Sequence, residues 1–148
     1  MIRAGTKEEM LKVCELISFS YNSNSNSVVI ENENGGVGAM AIYDRWTPTA
    51  VEMHAYSAGP QYVFRPEFCK AIFEYPFVQQ NKMLAFAVTP CDNIASIALA
   101  RFLGFREVYK IRDGWDLGTD MVIQELRREN CRFLENRSLG FQNGKSAS

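Results

Sequence analysis

Between Met83 and Phe105 the chain reads MLAFAVTPCDNIASIALARFLGF. An apolar run over 83–88 ends at Thr89-Pro90, and a polar break at Asp92-Asn93 follows. A second apolar stretch then stops at Gly104-Phe105. A short continuous apolar run bounded by a turn predicts a buried strand. The stretch that opens on Asn93 and closes on Gly104 predicts a helix with the Asn at its mouth. A buried strand passing through a tight turn into a helix belongs in an α/β sheet. It sets a polar side chain and unbonded helix amides at the C-terminal edge of the sheet, where open α/β sheets bind ligands.

The 148 residues suit one domain over 1–135, large enough to bury most of its unfolded-state surface. Residues 136–148, NRSLGFQNGKSAS, read as a flexible tail. With 47% hydrophobic and 22% charged residues the chain is globular in composition. A net charge of -1 gives no electrostatic footprint for nucleic acid or an anionic membrane. No apolar run approaches the roughly 20 residues of a membrane span. The start, MIRAGTKEEM, has no apolar core of a signal peptide, so the expectation is a cytoplasmic protein with neither nucleic acid nor membrane as partner. Cys14, Cys69, Cys91 and Cys131 are widely spaced and accompany a single histidine, His54. That is no zinc pattern and carries no local nucleophile signature; buried reduced thiols are expected.

Local signals order the rest. Residues 2–4 suit a short strand. Thr6-Lys7-Glu8-Glu9 is a capping box, and Met10, Val13, Cys14 and Ile17 follow at helical spacing. Strands are expected over 27–33 and 37–43, with Asn34-Gly35-Gly36 as the hairpin turn. The strand expected over 50–57 alternates, with Val51, Met53 and Ala55 on one face and Glu52, His54 and Tyr56 on the other. Residues 66–77 read as a helix with Pro66 first. That helix makes the link from 50–57 to 83–88 a crossover between parallel strands. Strands over 105–112 and 119–126, a turn over 113–118 and a short helix over 127–135 complete the order β-α-β-β-β-α-β-α-β-β. The fold class is α/β (α+β): a mixed, mostly antiparallel sheet with helices on both faces.

With this element order, the spacing Asn93-x-x-Ser96-x7-Gly104-Phe105 resembles the motif after the fifth strand of the GNAT superfamily of acetyl-CoA-dependent N-acetyltransferases. The ending Met121-Val122-Ile123 to Arg127-Arg128-Glu129-Asn130-Cys131 is similar to the ribosomal-protein N-terminal acetyltransferase branch. The Tyr75-Pro76-Phe77 step and the Ile2-Arg3 start look like small phage- and prophage-encoded members. One segment departs from the pattern. The family's glycine-rich pyrophosphate loop precedes the crossover helix, and here residues 57–65 read SAGPQYVFR.

The resemblance implies an acetyl-CoA co-substrate, an amine acceptor (a protein N-terminus or a small amine), direct attack, and a homodimer paired through sheet edges. Loss of the glycine pattern leaves the alternative of a catalytically degenerate binding or virion-associated protein on the same fold. The thioester would lie in a splay between the fourth and fifth strands. Glu52 and His54 are the catalytic candidates, since a base on that face points toward the acceptor; the same alternation also suits a solvated strand face. Tyr56, Ser57, Arg65, Asn93, Ser96 and Arg101 are the cofactor-binding candidates. Asn93 reads equally as a turn and helix cap. Many family members carry a Tyr acid seven residues after the Asn; here that position is Ala100. No metal is expected. Trp46, Tyr62, Phe64, Tyr109 and Trp115 are loop aromatics that could line an acceptor pocket or pack on the core.

Overall fold

The computed structural model describes residues 1–135; the expected tail lies outside them. Seven strands form one sheet in the order β1-β2-β3-β4-β5-β7-β6. The strands are β1 (Ile2–Ala4), β2 (Asn26–Glu31), β3 (Val37–Asp44), β4 (Ala50–Ser57), β5 (Leu84–Pro90), β6 (Arg106–Asp116) and β7 (Thr119–Arg127). The helices are α1 (Lys7–Leu16), a single turn α2 (Pro60–Val63), α3 (Pro66–Glu74) and α4 (Ile94–Leu103). Only β4 and β5 run parallel; every other pair is antiparallel.

Alternation along β3 sends its two sides to two cores. Met40 and Ile42 pack with Met10, Val13 and Cys14 of α1. Ala39, Ala41 and Tyr43 pack on the other face with Phe68, Cys69, Ile72 and Phe73 of α3 and Leu103 of α4. Helices therefore cover both faces. The first of them starts at the predicted box: Glu9 N–H donates to the Thr6 hydroxyl at 3.1 Å, and Thr6 N–H donates to the Glu9 carboxylate at 3.0 Å. Helix α4 ends on Gly104 at φ 109, a left-handed cap that favours glycine. Three of the four free cysteines are buried, and Cys91 is half-buried.

Three expectations are corrected. The crossover helix does not run on to residue 77 as an α-helix, because Pro76 has no N–H to give to the carbonyl four residues back. Residues Tyr75–Gln79 form a π-helical turn instead, and the buried Tyr43 hydroxyl donates to the Ile72 carbonyl at 2.5 Å. The closing helix over 127–135 is absent. Arg127 is still a rung of β7 opposite Leu84, and Arg128 N–H donates to the Met83 carbonyl at 2.9 Å. Sheet bonding holds the backbone extended there, and only a 3-10 turn, Arg128–Asn130, remains. The β6–β7 turn is also shorter than expected. Ladder pairing continues to Asp116, opposite Thr119. Asp113, at φ 54, absorbs the irregularity and accepts from Gly118 N–H at 2.8 Å.

Candidate functional site

The parallel ladder between β4 and β5 is three rungs long and ends at Glu52 opposite Phe86. Beyond it β4 follows β3 as far as Ser57, while β5 follows β7 as far as Pro90. The strands diverge, and the β5-facing backbone groups of β4 past Glu52 have no ladder partner. A cleft of about 950 Å³ opens at the divergence. It is bounded by the segment after α1 on one face of the sheet and by α3 and α4 on the other.

Glu52 and His54 line this cleft. Glu52 is 4% exposed and His54 is half-buried, so this is not a solvated strand face. Arg45 Nε lies 2.7 Å from Glu52 Oε1, and His54 Nε2 lies 3.2 Å from Oε2. Neither contact has aligned hydrogen-bond geometry, and only the Arg45 contact pairs two permanent charges. The Arg45 side chain is 72% exposed, so water screens much of its attraction for the carboxylate. A carboxylate beside Nε2 favours the imidazole tautomer that carries its hydrogen there and leaves Nδ1 as the acceptor. Phe19 covers the imidazole with ring centres 3.7 Å apart. Arg45 at φ 48 and Phe19 at the end of α1 carry no local motif; strand pairing and tertiary packing bring both to the pair.

Asn93 and Ser96 also line the cleft. Asn93 is the N-cap of α4, its side-chain oxygen accepting from Ser96 N–H at 3.2 Å. The cap uses the oxygen, and Asn93 is exposed. Both readings of Asn93 are therefore compatible with its place. Ala100, at the position where a Tyr acid was sought, lines the cleft with only a methyl group.

Tyr56, Ser57, Arg65 and Arg101 are outside the lining. Tyr56 packs on the α1 core. The Ser57 hydroxyl donates to the Gly59 carbonyl at 2.6 Å. Arg65 holds the N-cap position of α3, 3.8 Å from Glu67, and Arg101 is exposed. Of the five loop aromatics, Trp115 alone reaches the cleft, from the far end of β6. Trp46 packs on Tyr43 and Tyr75, Tyr62 bonds Glu33, Phe64 meets Phe102, and Tyr109 is exposed.

The loop between β4 and α3 bonds several of its amides within the chain. Ala58 N–H donates to Gly38 O at 2.8 Å and Gly59 N–H to Ser57 Oγ at 3.1 Å. Tyr62 N–H donates to Gly59 O, Phe64 N–H to Pro60 O, and Arg65 N–H to Tyr62 O, all at 3.1–3.2 Å. Pro60 and Pro66 have no N–H, and Glu67 adds a carboxylate to the first turn of α3. Five amides of the segment are thus bonded within the chain, and neither α2 nor α3 has a side-chain cap on its first turn. The diverging strands leave backbone groups of β4 without ladder partners beside a cleft that Asn93 also lines.

Solved structures similar to this one include N-acetyltransferases. The dodecameric spermidine N-acetyltransferase from Vibrio cholerae superposes with a TM-score of 0.66 at 12% identity, over 86% of this chain and 92% of that one. The fold is that of the GNAT acetyltransferases. Ribosomal-protein-alanine N-acetyltransferase from Brucella melitensis shares this GNAT fold with a TM-score of 0.63 and 17% identity, over 86% of this chain and 99% of that one. A GNAT-family acetyltransferase from Bacillus anthracis gives 0.58 and 14%, over 84% and 76%. No protein-family model and no curated protein sequence matches the chain. Among the described residues no helix is long and apolar enough to cross a membrane, and no group of three or more His, Cys, Asp or Glu could hold a metal ion.

Proposed function

We propose that this chain is an acetyl-CoA-dependent N-acetyltransferase that works by direct attack of an amine on the thioester. The observation that carries this reading is the pair Glu52–His54, held at the last rung of the β4–β5 ladder and lining the cleft that opens there. Acetyl-CoA supplies the activated carbonyl. His54 Nδ1 takes the proton of the acceptor amine, Glu52 orients the ring, and Phe19 keeps water from its face. Backbone groups freed by the divergence, with Asn93 and Ser96, position the thioester arm. The acceptor is an amine, either a protein N-terminus or a small amine.

The cytoplasmic location, the phage or prophage kinship implied by Tyr75-Pro76-Phe77 and the homodimer belong to the same proposal. For the dimer, β6 is the exposed edge strand. Titration of acetyl-CoA into the purified chain tests the reading. Binding at about 100 times Kd should add roughly 2.7 kcal/mol of stability and raise the melting temperature. No heat and no thermal shift with acetyl-CoA or CoA sinks it. The alternative, a degenerate binding protein, rests on the missing glycine pattern over 57–65 and on Ala100 where a Tyr acid was sought. It predicts CoA binding with no thioester consumed across a panel of amines and peptides.

A further inference from the structure

The alternation that turns Glu52 and His54 toward the α1 side of the sheet also decides what stands beside them. Phe86 is the rung partner of Glu52, so Val88 and Pro90, two and four residues further on, share that face of β5. Met121 pairs with Pro90 across the β5–β7 ladder and lies on the same face. All three line the cleft, together with Leu16 at the end of α1 and Trp115 of β6. Among the described residues these five belong to neither core, and Leu16 and Trp115 are 61% and 49% exposed. Phe19, against the His54 ring, continues the strip. Apolar side chains left out of the core and gathered along a cleft mark where the apolar surface of a ligand is buried.

Charge in the lining is sparse. Among the described residues it consists of Arg45, Glu52 and Asp92. Arg45 Nε lies 2.7 Å from Glu52, so a cation offsets the acid where it stands. Asp92, exposed beside the α4 cap, is the one acid left over. A polyamine brings a second ammonium that wants its own carboxylate and that the Arg45 guanidinium repels. We infer that the acceptor is a primary amine attached to an apolar body, aryl or branched alkyl, with no second cation. The amine reaches His54, and the body lies against Val88, Pro90, Met121 and Trp115. In the transfer the amine nitrogen bonds to the acetyl carbon and the carbon–sulfur bond breaks. One amine proton passes to His54 and on to the departing thiolate. This rests on the acetyltransferase reading and selects a substrate class within it. A peptide that begins with a large apolar residue and a small alkyl or aryl amine share that chemistry.

The test follows release of free CoA from acetyl-CoA by the intact chain with matched amines. Isoamylamine should exceed the equally basic ethylamine by at least about tenfold in kcat/KM, since a single methylene in an apolar pocket is worth about that factor. Spermidine should fall below isoamylamine, and peptides beginning with leucine should exceed the same peptides beginning with glycine by a similar factor. Trp115→Ala, on an exposed position, should shrink the isoamylamine-to-ethylamine ratio several-fold. Met121→Thr should do the same, and is the second variant should Trp115→Ala lower the melting temperature. Leucine-first peptides running ahead of isoamylamine make the source a polypeptide N-terminus; the reverse order makes it a small amine, and either result supports the inference. Equal turnover of the matched amines, or spermidine ahead of both, overturns the apolar site and leaves the acetyltransferase reading standing. A ratio unmoved in both variants overturns the site as well. No CoA release with any amine overturns both.

Discussion

Glu52 sits at the rung where β4 leaves β5, and its carboxylate is shared between an exposed cation, Arg45, and an imidazole, His54. Buried acids with one partner on each oxygen are sensitive to losing either. If His54 takes the acceptor proton, His54→Ala should lower turnover by about 100-fold, the usual size of a lost general base. CoA binding should stay within about twofold, because no phosphate or thioester contact is removed. Glu52→Gln should lower turnover by less, and unchanged turnover in both variants would remove the pair from the chemistry. Tyr43 has a purely structural place. Its hydroxyl fills the acceptor that Pro76 leaves vacant at Ile72, and burial holds its pKa well above the ordinary value. Tyr43→Phe should cost about 1–3 kcal/mol in denaturant melts, the penalty for orphaning a buried carbonyl. Turnover should be untouched.

Elements whose signals are local are the ones the sequence shows plainly. The capping box places the start of α1 at Lys7, the Asn93 cap and Gly104 bracket α4, and the alternation over β4 marks its ends at Ala50 and Ser57. What sequence reading misses depends on pairing between distant segments. The divergence of β4 from β5 is a property of two registers, and neither strand announces where the shared ladder ends. Arg45 and Phe19 reach the site through that same distant packing. Arg127 has helix-compatible neighbours, yet the rung opposite Leu84 takes it into the sheet. Where a signal is local its removal has a local cost. Thr6→Ala removes the hydroxyl that accepts from Glu9 N–H, leaving the bond from the backbone N–H of residue 6 to the Glu9 carboxylate, and should cost about 1 kcal/mol of stability. Thermal melts check this, and an unchanged melting temperature would mean that α1 is held by its apolar face alone.

At the scale of the whole molecule, the first strand, the first helix and the second strand are fastened by one side chain. Arg3 donates through both terminal nitrogens to Glu9, at 2.8 Å each, and through Nε to Glu31 at 2.7 Å. The two carboxylates come from α1 and β2, so the node closes the N-terminal edge of the sheet against the helix that covers it. The hydrogen bonds from Arg3 hold Glu9 at a pKa of about 2, against an ordinary value of 4.5. A folded-state value depressed in this way means that the unfolded chain binds the proton first as pH falls. The stabilisation is complete above about 4.5 and is lost as pH descends toward about 2. Acid titration of the melting temperature should therefore show a decline across that window. In Glu9→Gln the decline should be shallower, and the variant should already be less stable at neutral pH. An identical acid slope in wild type and variant would show that other carboxylates govern acid unfolding. The node would then be a surface contact screened by solvent, with little hold on how β1 and α1 stay closed over β2.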